Sequence, residues 1–79
     1  MLPTIDTIDD LWAEYWKEQV WQNHLGVGAY VPMHKVLRFG QYVYNQIGYE
    51  TDSSYYMGDS TAAYNNIRDV INFKSASLA

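Results

Sequence analysis

Residues 16–32 read Trp16-Lys17-Glu18-Gln19-Val20-Trp21-Gln22-Asn23-His24-Leu25-Gly26-Val27-Gly28-Ala29-Tyr30-Val31-Pro32, and the reading of this stretch decides the fold class. Gly26 is a natural helix stop, because glycine enters the left-handed region at little steric cost. Gly28 keeps the next few residues out of helix, and Val31 is held extended by the proline that follows it. Upstream, Thr7 suits an N-cap, with Asp9 and Asp10 in the first turn where carboxylates favour the helix dipole. Ile8, Leu11, Trp12, Tyr15, Trp16 and Val20 follow the 3.6-residue period as one apolar stripe, opposite Asp10, Glu14, Lys17 and Glu18. The pattern predicts a helix over 7–23. Trp21 is its one misfit, roughly 200° from the centre of the stripe and among charged positions.

A second helix is predicted over 32–47. Pro32 suits a first helical turn. Met33, Val36, Leu37, Gly40, Val43, Tyr44 and Ile47 fall on one face, and Arg38, Gln41, Tyr42 and Asn45 on the other. Gly48 closes the helix as a C-cap. Gly40 lies within the apolar face at a propensity cost of about 1 kcal/mol, which predicts a close helix crossing with Trp12 or Trp16 as the neighbour. Residues 49–58 form a polar, turn-like loop with three tyrosines and room for one short turn of helix. Asp59 or Ser60 caps a third helix over 60–73, whose face is Ala63, Tyr64, Ile67, Val70 and Ile71. Phe73 is off that stripe, and 75–79 read as a frayed tail. No stretch alternates convincingly at period two; Gln41–Tyr44 comes nearest. The expected fold is all-α: one domain over 1–79, a compact bundle of three main helices with a Tyr-rich loop before the last.

Composition narrows the function. At 79 residues and 9.2 kDa, the chain is near the lower size that folds without staples, so a second copy is a natural source of further burial. Zero cysteines exclude a disulfide scaffold, a thiolate metal cluster and a thiol nucleophile. No apolar run is long enough to span a bilayer, and Met1–Asp6 lacks the basic and apolar regions of a signal peptide. A cytoplasmic protein is expected. The unusual feature is 3 Trp, 8 Tyr and 2 Phe, aromatics favoured where surfaces meet partners.

From Leu37 the chain reads Leu-Arg-Phe-Gly-Gln-Tyr-Val-Tyr-Asn-Gln-Ile, followed by an acidic Tyr-rich loop and Ala63-Tyr64-Asn65-Asn66-Ile67. This resembles a pattern in small uncharacterised reading frames of bacteria and phages. There a Phe-Gly-Gln-x-x-Tyr/Trp-Asn helix precedes an acidic, aromatic loop and a final short helix. The resemblance spans about half the chain and transfers no activity. It implies a bacterial or phage origin, and that Phe39, Gly40, Gln41, Tyr44 and Asn45 act as a structural unit.

Several groupings suggest chemistry and stop short of it. His24 and His34 could meet across a loop, but no carboxylate is spaced to complete a metal site. Gly26-Val27-Gly28 before a helix lacks the leading strand and third glycine of a dinucleotide loop. Asp52 and Asp59 flank Ser53 and Ser54 without the alternating ligands of a calcium loop, and no histidine is placed as a base. Residues 1–25 carry five acids against Lys17, a net −4 equal to that of the whole chain; Asp9, Asp10, Glu14 and Glu18 read as a solvated ridge. Lys35, Arg38, Gln41 and Asn45 could reach phosphates and base edges, against an overall pI near 4.7 that removes long-range attraction to a polyanion.

The expected function is therefore a small, acidic, helical interaction or adaptor protein, with no enzyme activity and no cofactor. Its contact residues are the off-stripe aromatics Trp21, Tyr42 and Phe73, with Tyr55 and Tyr56 as adaptable contacts in the loop. Its partner is a second copy, a dimer first of all, or another protein. The alternative is a nucleic-acid-associated regulator, using the helix-two face of Lys35, Arg38, Gln41 and Asn45 as a dimer.

Overall fold

Thr4, not Thr7, starts the first helix: its Oγ1 accepts the Thr7 N–H at 3.1 Å. In the computed structural model, which describes residues 2–78 and the side chains of 2–77, helix α1 runs Ile5–Lys17. Strands β1 (Gln19–His24) and β2 (Val27–Pro32) follow, then a 3-10 turn at Met33–Lys35 and helix α2 (Phe39–Ile47). A second 3-10 turn (Ser54–Tyr56) leads to helix α3 (Ser60–Leu78).

The all-α expectation fails at residues 19–32, which form an antiparallel hairpin; the chain is an α+β mix. Glu18 is already extended, at φ −68° and ψ 138°. Beyond it come Val20, Trp21, Val27, Tyr30 and Val31, the β-branched and aromatic types that fit a pleated surface. The predicted stop at Gly26 is the hairpin turn. Leu25 and Gly26 both have positive φ, 53° and 79°, as a two-residue type I′ turn requires. As a strand the segment faces Val20 and its partner Val31 to one side and Trp21 and its partner Tyr30 to the other. Val20 then packs on the core. The misfit of Trp21 on a helix disappears because there is no helix there.

The predicted second helix is split. Tyr15 Oη donates to the Leu37 carbonyl at 2.6 Å and lies 2.9 Å from Ser60 Oγ. That Oγ also accepts the Phe39 N–H at 3.2 Å. With these groups engaged outside a helix, Arg38 is extended (φ −74°, ψ 154°) and α2 begins only at Phe39. Gly48 caps its other end at φ 68°.

Gly40 does mark a close approach, but not to Trp12 or Trp16. A β-carbon there would overlap the Ser54 carbonyl oxygen. The Tyr-rich loop is seated on α2 through its 3-10 turn, where Thr51 N–H donates to Ser54 Oγ (2.8 Å) and Ser54 N–H to Thr51 Oγ1 (3.1 Å). Thr51 Oγ1 in turn donates to Asn66 Oδ1 on α3 at 2.6 Å. Asp59 caps α3, its Oδ1 accepting from Thr61 N–H at 2.9 Å. The helix continues past residue 73 to Leu78.

The core gathers Ile8, Tyr15, Phe39, Tyr42, Val43, Ile67 and Ile71 from all three helices, with Met33 from the first 3-10 turn. Residues 21–27 and 72–77 are all exposed. The molecule is accordingly long, 53 × 20 × 19 Å. Its radius of gyration is 14.1 Å, against about 11.6 Å for a compact chain of this length.

Candidate interaction surface: an uncharged aromatic hairpin

The base of the hairpin is clamped at Glu18. Its carbonyl accepts the Met33 N–H at 2.8 Å, and its Oε2 accepts the Tyr42 hydroxyl at 2.8 Å. The first bond sets the phase of the ladder, because hydrogen-bonded and non-hydrogen-bonded pairs alternate along an antiparallel pair. Counting outward from Glu18/Met33, the pairs Val20/Val31, Gln22/Ala29 and His24/Val27 bond to each other. The backbone groups of Gln19, Trp21 and Asn23 on β1, and of Gly28 and Tyr30 on β2, point away from the partner strand. Pro32 falls in this outward set, where a missing N–H is tolerated.

The same phase makes Trp21 and Tyr30 a non-hydrogen-bonded pair, whose side chains approach most closely. Their rings meet edge to face at 5.2 Å. The indole also lies diagonally across Gly28, where a β-carbon would overlap it. Leu25 crowns the turn in a left-handed conformation that costs a branched residue roughly 1 kcal/mol.

The hairpin has little to keep a partner away. From Gln19 to Pro32 there is no Asp, Glu, Lys or Arg, in a chain of net charge −4. Sheet edges in water are ordinarily blunted by charges, bulges or cover. These two edges have none beyond Pro32 at one end.

Of the predicted contact residues, the structure places Trp21 on this hairpin and exposed. Tyr42 is 2% exposed and is not a surface residue; the polar face of α2 turns inward there because the phenol reaches Glu18. Phe73 is exposed on the outer part of α3. Tyr55 and the exposed Tyr56 form an edge-to-face ladder with Tyr44, at 5.4 and 5.0 Å. Tyr30, Leu25 and Val27 were missed; their signal was the run of fourteen uncharged residues that holds them.

Lys35, Arg38, Gln41 and Asn45 do not form one helical face, since Lys35 lies in the 3-10 turn and Arg38 is the extended residue before α2. Lys35, Arg38 and Gln41 instead line a groove with His34. His24 and His34 cannot meet: six ladder positions separate His24 from Glu18/Met33, about 20 Å at ~3.3 Å per residue. Among the described residues no group of His, Asp and Glu is arranged to hold a metal ion. No helix among them is long and apolar enough to cross a membrane.

Burial first, then the hydrogen bond to Glu18 and the negative charges of Glu18 and Glu14, pushes the Tyr42 phenol up to about 12 from its ordinary value near 10. The neutral phenol thus stabilises the fold in full below pH 10, and the contribution is lost as pH rises through 12. Tyr64, through its 2.7 Å bond to Asp9 and then burial, and Tyr49, through burial, are raised in the same direction. Thermal melts should be flat approaching pH 10 on this account and fall steeply above it, and Tyr42→Phe should flatten that fall. An unchanged alkaline limb in Tyr42→Phe would place the sensitive group elsewhere.

The chain matches no protein-family model, and no curated protein or solved structure shows significant similarity to it, so the hairpin is read from its own geometry.

Proposed function

We propose that this is a small protein-interaction module whose working part is the hairpin, and that its first partner is a second copy of itself. The observation that carries the reading is a projecting pair of uncharged edge strands topped by exposed Trp21 and Tyr30. An isolated two-stranded hairpin is marginal in water, and pairing along an outward edge would satisfy its free N–H and C=O groups. On the Trp21 face, Trp21 and Tyr30 are 56 and 67% exposed and Leu25 at the turn 90%, which amounts to on the order of 400 Å² of side-chain surface, within the range of the largest patch a typical monomer leaves open; Val27 lies on the opposite face. Two copies joined through the Trp21 face would cover about 800 Å² of side-chain surface, to which the paired edge backbone adds, close to the ~1,000 Å² at which specific interfaces begin. Self-pairing suits this surface because no like charges meet across it. The cysteine-free sequence fits work in a reducing compartment such as the cytoplasm.

Light scattering behind size exclusion, over a wide range of concentration, tests this. The expected mass approaches twice 9.2 kDa as concentration rises. Trp21→Ala should weaken association at least about tenfold, as truncating an aromatic anchor does. Tyr30→Lys should abolish it by placing a charge on the edge. Both variants should keep the helical circular dichroism of the parent, because neither residue is in the core. A parent that stays monomeric throughout would sink the self-association reading.

A further inference from the structure

The groove in front of α2 is a second site of different chemistry, independent of the hairpin. It is an open groove of about 580 Å³ whose polar lining is His34, Lys35, Arg38 and Gln41, beside Val36, Leu37 and Gly58, with no acidic residue in its wall. The whole chain has 5 Lys and Arg against 9 Asp and Glu, so two of its five permanent cations are gathered here. Neither is neutralised: among the described residues the one ion pair is Arg68 with Asp9, at 3.2 Å. Arg38 lies across Gly58, where a β-carbon would be 3.9 Å from Cζ. The guanidinium thus rests beside the glycine at ordinary van der Waals distance, on the rim of the groove.

The backbone adds one donor at the same place, on Gln41. Arg38 occupies the N-cap of α2 without a side-chain capping bond. Phe39 N–H is taken by Ser60 and Tyr42 N–H by the Arg38 carbonyl. Between them, the amide of Gln41, a residue of the groove wall, is a first-turn donor of the kind that favours anions.

From this arrangement we infer that the groove binds a terminal phosphate group. The guanidinium of Arg38, the ammonium of Lys35 and the amide of Gln41 bring two positive charges and a neutral donor to one place, which suits a doubly charged anion better than a singly charged carboxylate. A phosphate presents three oxygens to a fork and a point charge. The volume accommodates a phosphate with a nucleotide-sized remainder. It is a groove for the end of a ligand, not a track for a duplex, because the cations are gathered around one concavity. The shared chemistry could come from a phosphorylated small molecule or from the 5′-phosphate end of an oligonucleotide.

Amide chemical shifts of the full chain, followed by NMR at constant ionic strength, provide the test. The probes are inorganic phosphate, adenosine monophosphate, and a short single-stranded DNA with and without a 5′-phosphate. Saturating shifts confined to residues 34–41 and 58 are expected with phosphate and the monophosphate. Arg38→Gln should weaken them about tenfold or more, the loss of one charge-assisted hydrogen bond, while leaving the thermal melt unchanged. A response to the DNA only when it carries the 5′-phosphate assigns the oligonucleotide source, and a response to the small molecules alone assigns the other. Shifts that never saturate, that spread equally to Lys17 and Lys74, or that survive Arg38→Gln would overturn the proposal. So would equal binding of the DNA with and without its phosphate.

Discussion

Replacing Gly40 with Ala should destabilise the protein by about 3 kcal/mol, the upper end of what overpacking costs. In a domain of this size that lowers the melting temperature by more than about 10 °C. Helix propensity predicts the opposite sign, since Ala is preferred to Gly in a helix interior by about 1 kcal/mol. The difference lies in what stands over the helix. The new methyl would meet the Ser54 carbonyl oxygen, which is backbone and cannot rotate aside. Ser54 is fully buried and tied by two reciprocal bonds to Thr51, which is tied in turn to α3 through Asn66. Relief would therefore require the Tyr-rich loop to lift from α2 as a unit. Thermal and urea melts decide the matter, and a variant more stable than the parent would mean the loop is not seated on Gly40.

Tyr15→Phe should cost about 2–3 kcal/mol, although it removes a single oxygen. That hydroxyl is at the junction of the three helices. It donates to the Leu37 carbonyl and meets Ser60 Oγ, which holds the Phe39 N–H. Tyr15 itself is fully buried, so no water replaces the lost partner and a carbonyl is left unsatisfied in the core. Ser60→Ala should be milder, and the double variant should cost less than the sum of the two, because both changes dismantle one network. Strict additivity in urea melts would show that the three groups act separately.

Much of the chain's punctuation was legible. Gly48 as a C-cap and Asp59 as one of two candidate caps for α3 each have a short-range cause, whereas Gly26, expected to stop the first helix, is instead the second residue of the hairpin turn. Gly40 was recognised as a close approach, though its neighbour came from a loop fourteen residues later. The hairpin was not recognised. Gln19–His24 continue a helical stripe through Val20, and the Leu25-Gly26 turn lacks the Asn-Gly or Asp-Gly signature that marks such hairpins. The warning was Trp21, which fitted no helical face, within a stretch without charge.

Tyr42 shows why the candidate site was only partly legible. On a helical wheel it lies on the polar face with Arg38, Gln41 and Asn45, yet it is buried because its hydroxyl reaches Glu18 from twenty-four residues away in sequence. Conversely Tyr30, unremarkable in the sequence, becomes the partner of Trp21 once the register is set.

The sequence by itself determined the caps at Gly48 and Asp59, the amphipathic faces of α1 and α3, and the uncharged span from Gln19 to Pro32. All of these depend on a residue's own backbone preferences or on neighbours within a turn or two. Only the tertiary structure decided that this span is a hairpin, that the second helix breaks at Arg38, and that Lys35, Arg38 and Gln41 gather around a groove. Those outcomes depend on partners distant in sequence: Met33 on Glu18, Tyr15 on Leu37, Ser54 on Gly40. Local propensity there is too even to choose, and the choice falls to the contacts that bury the most surface while leaving the fewest polar groups unpaired.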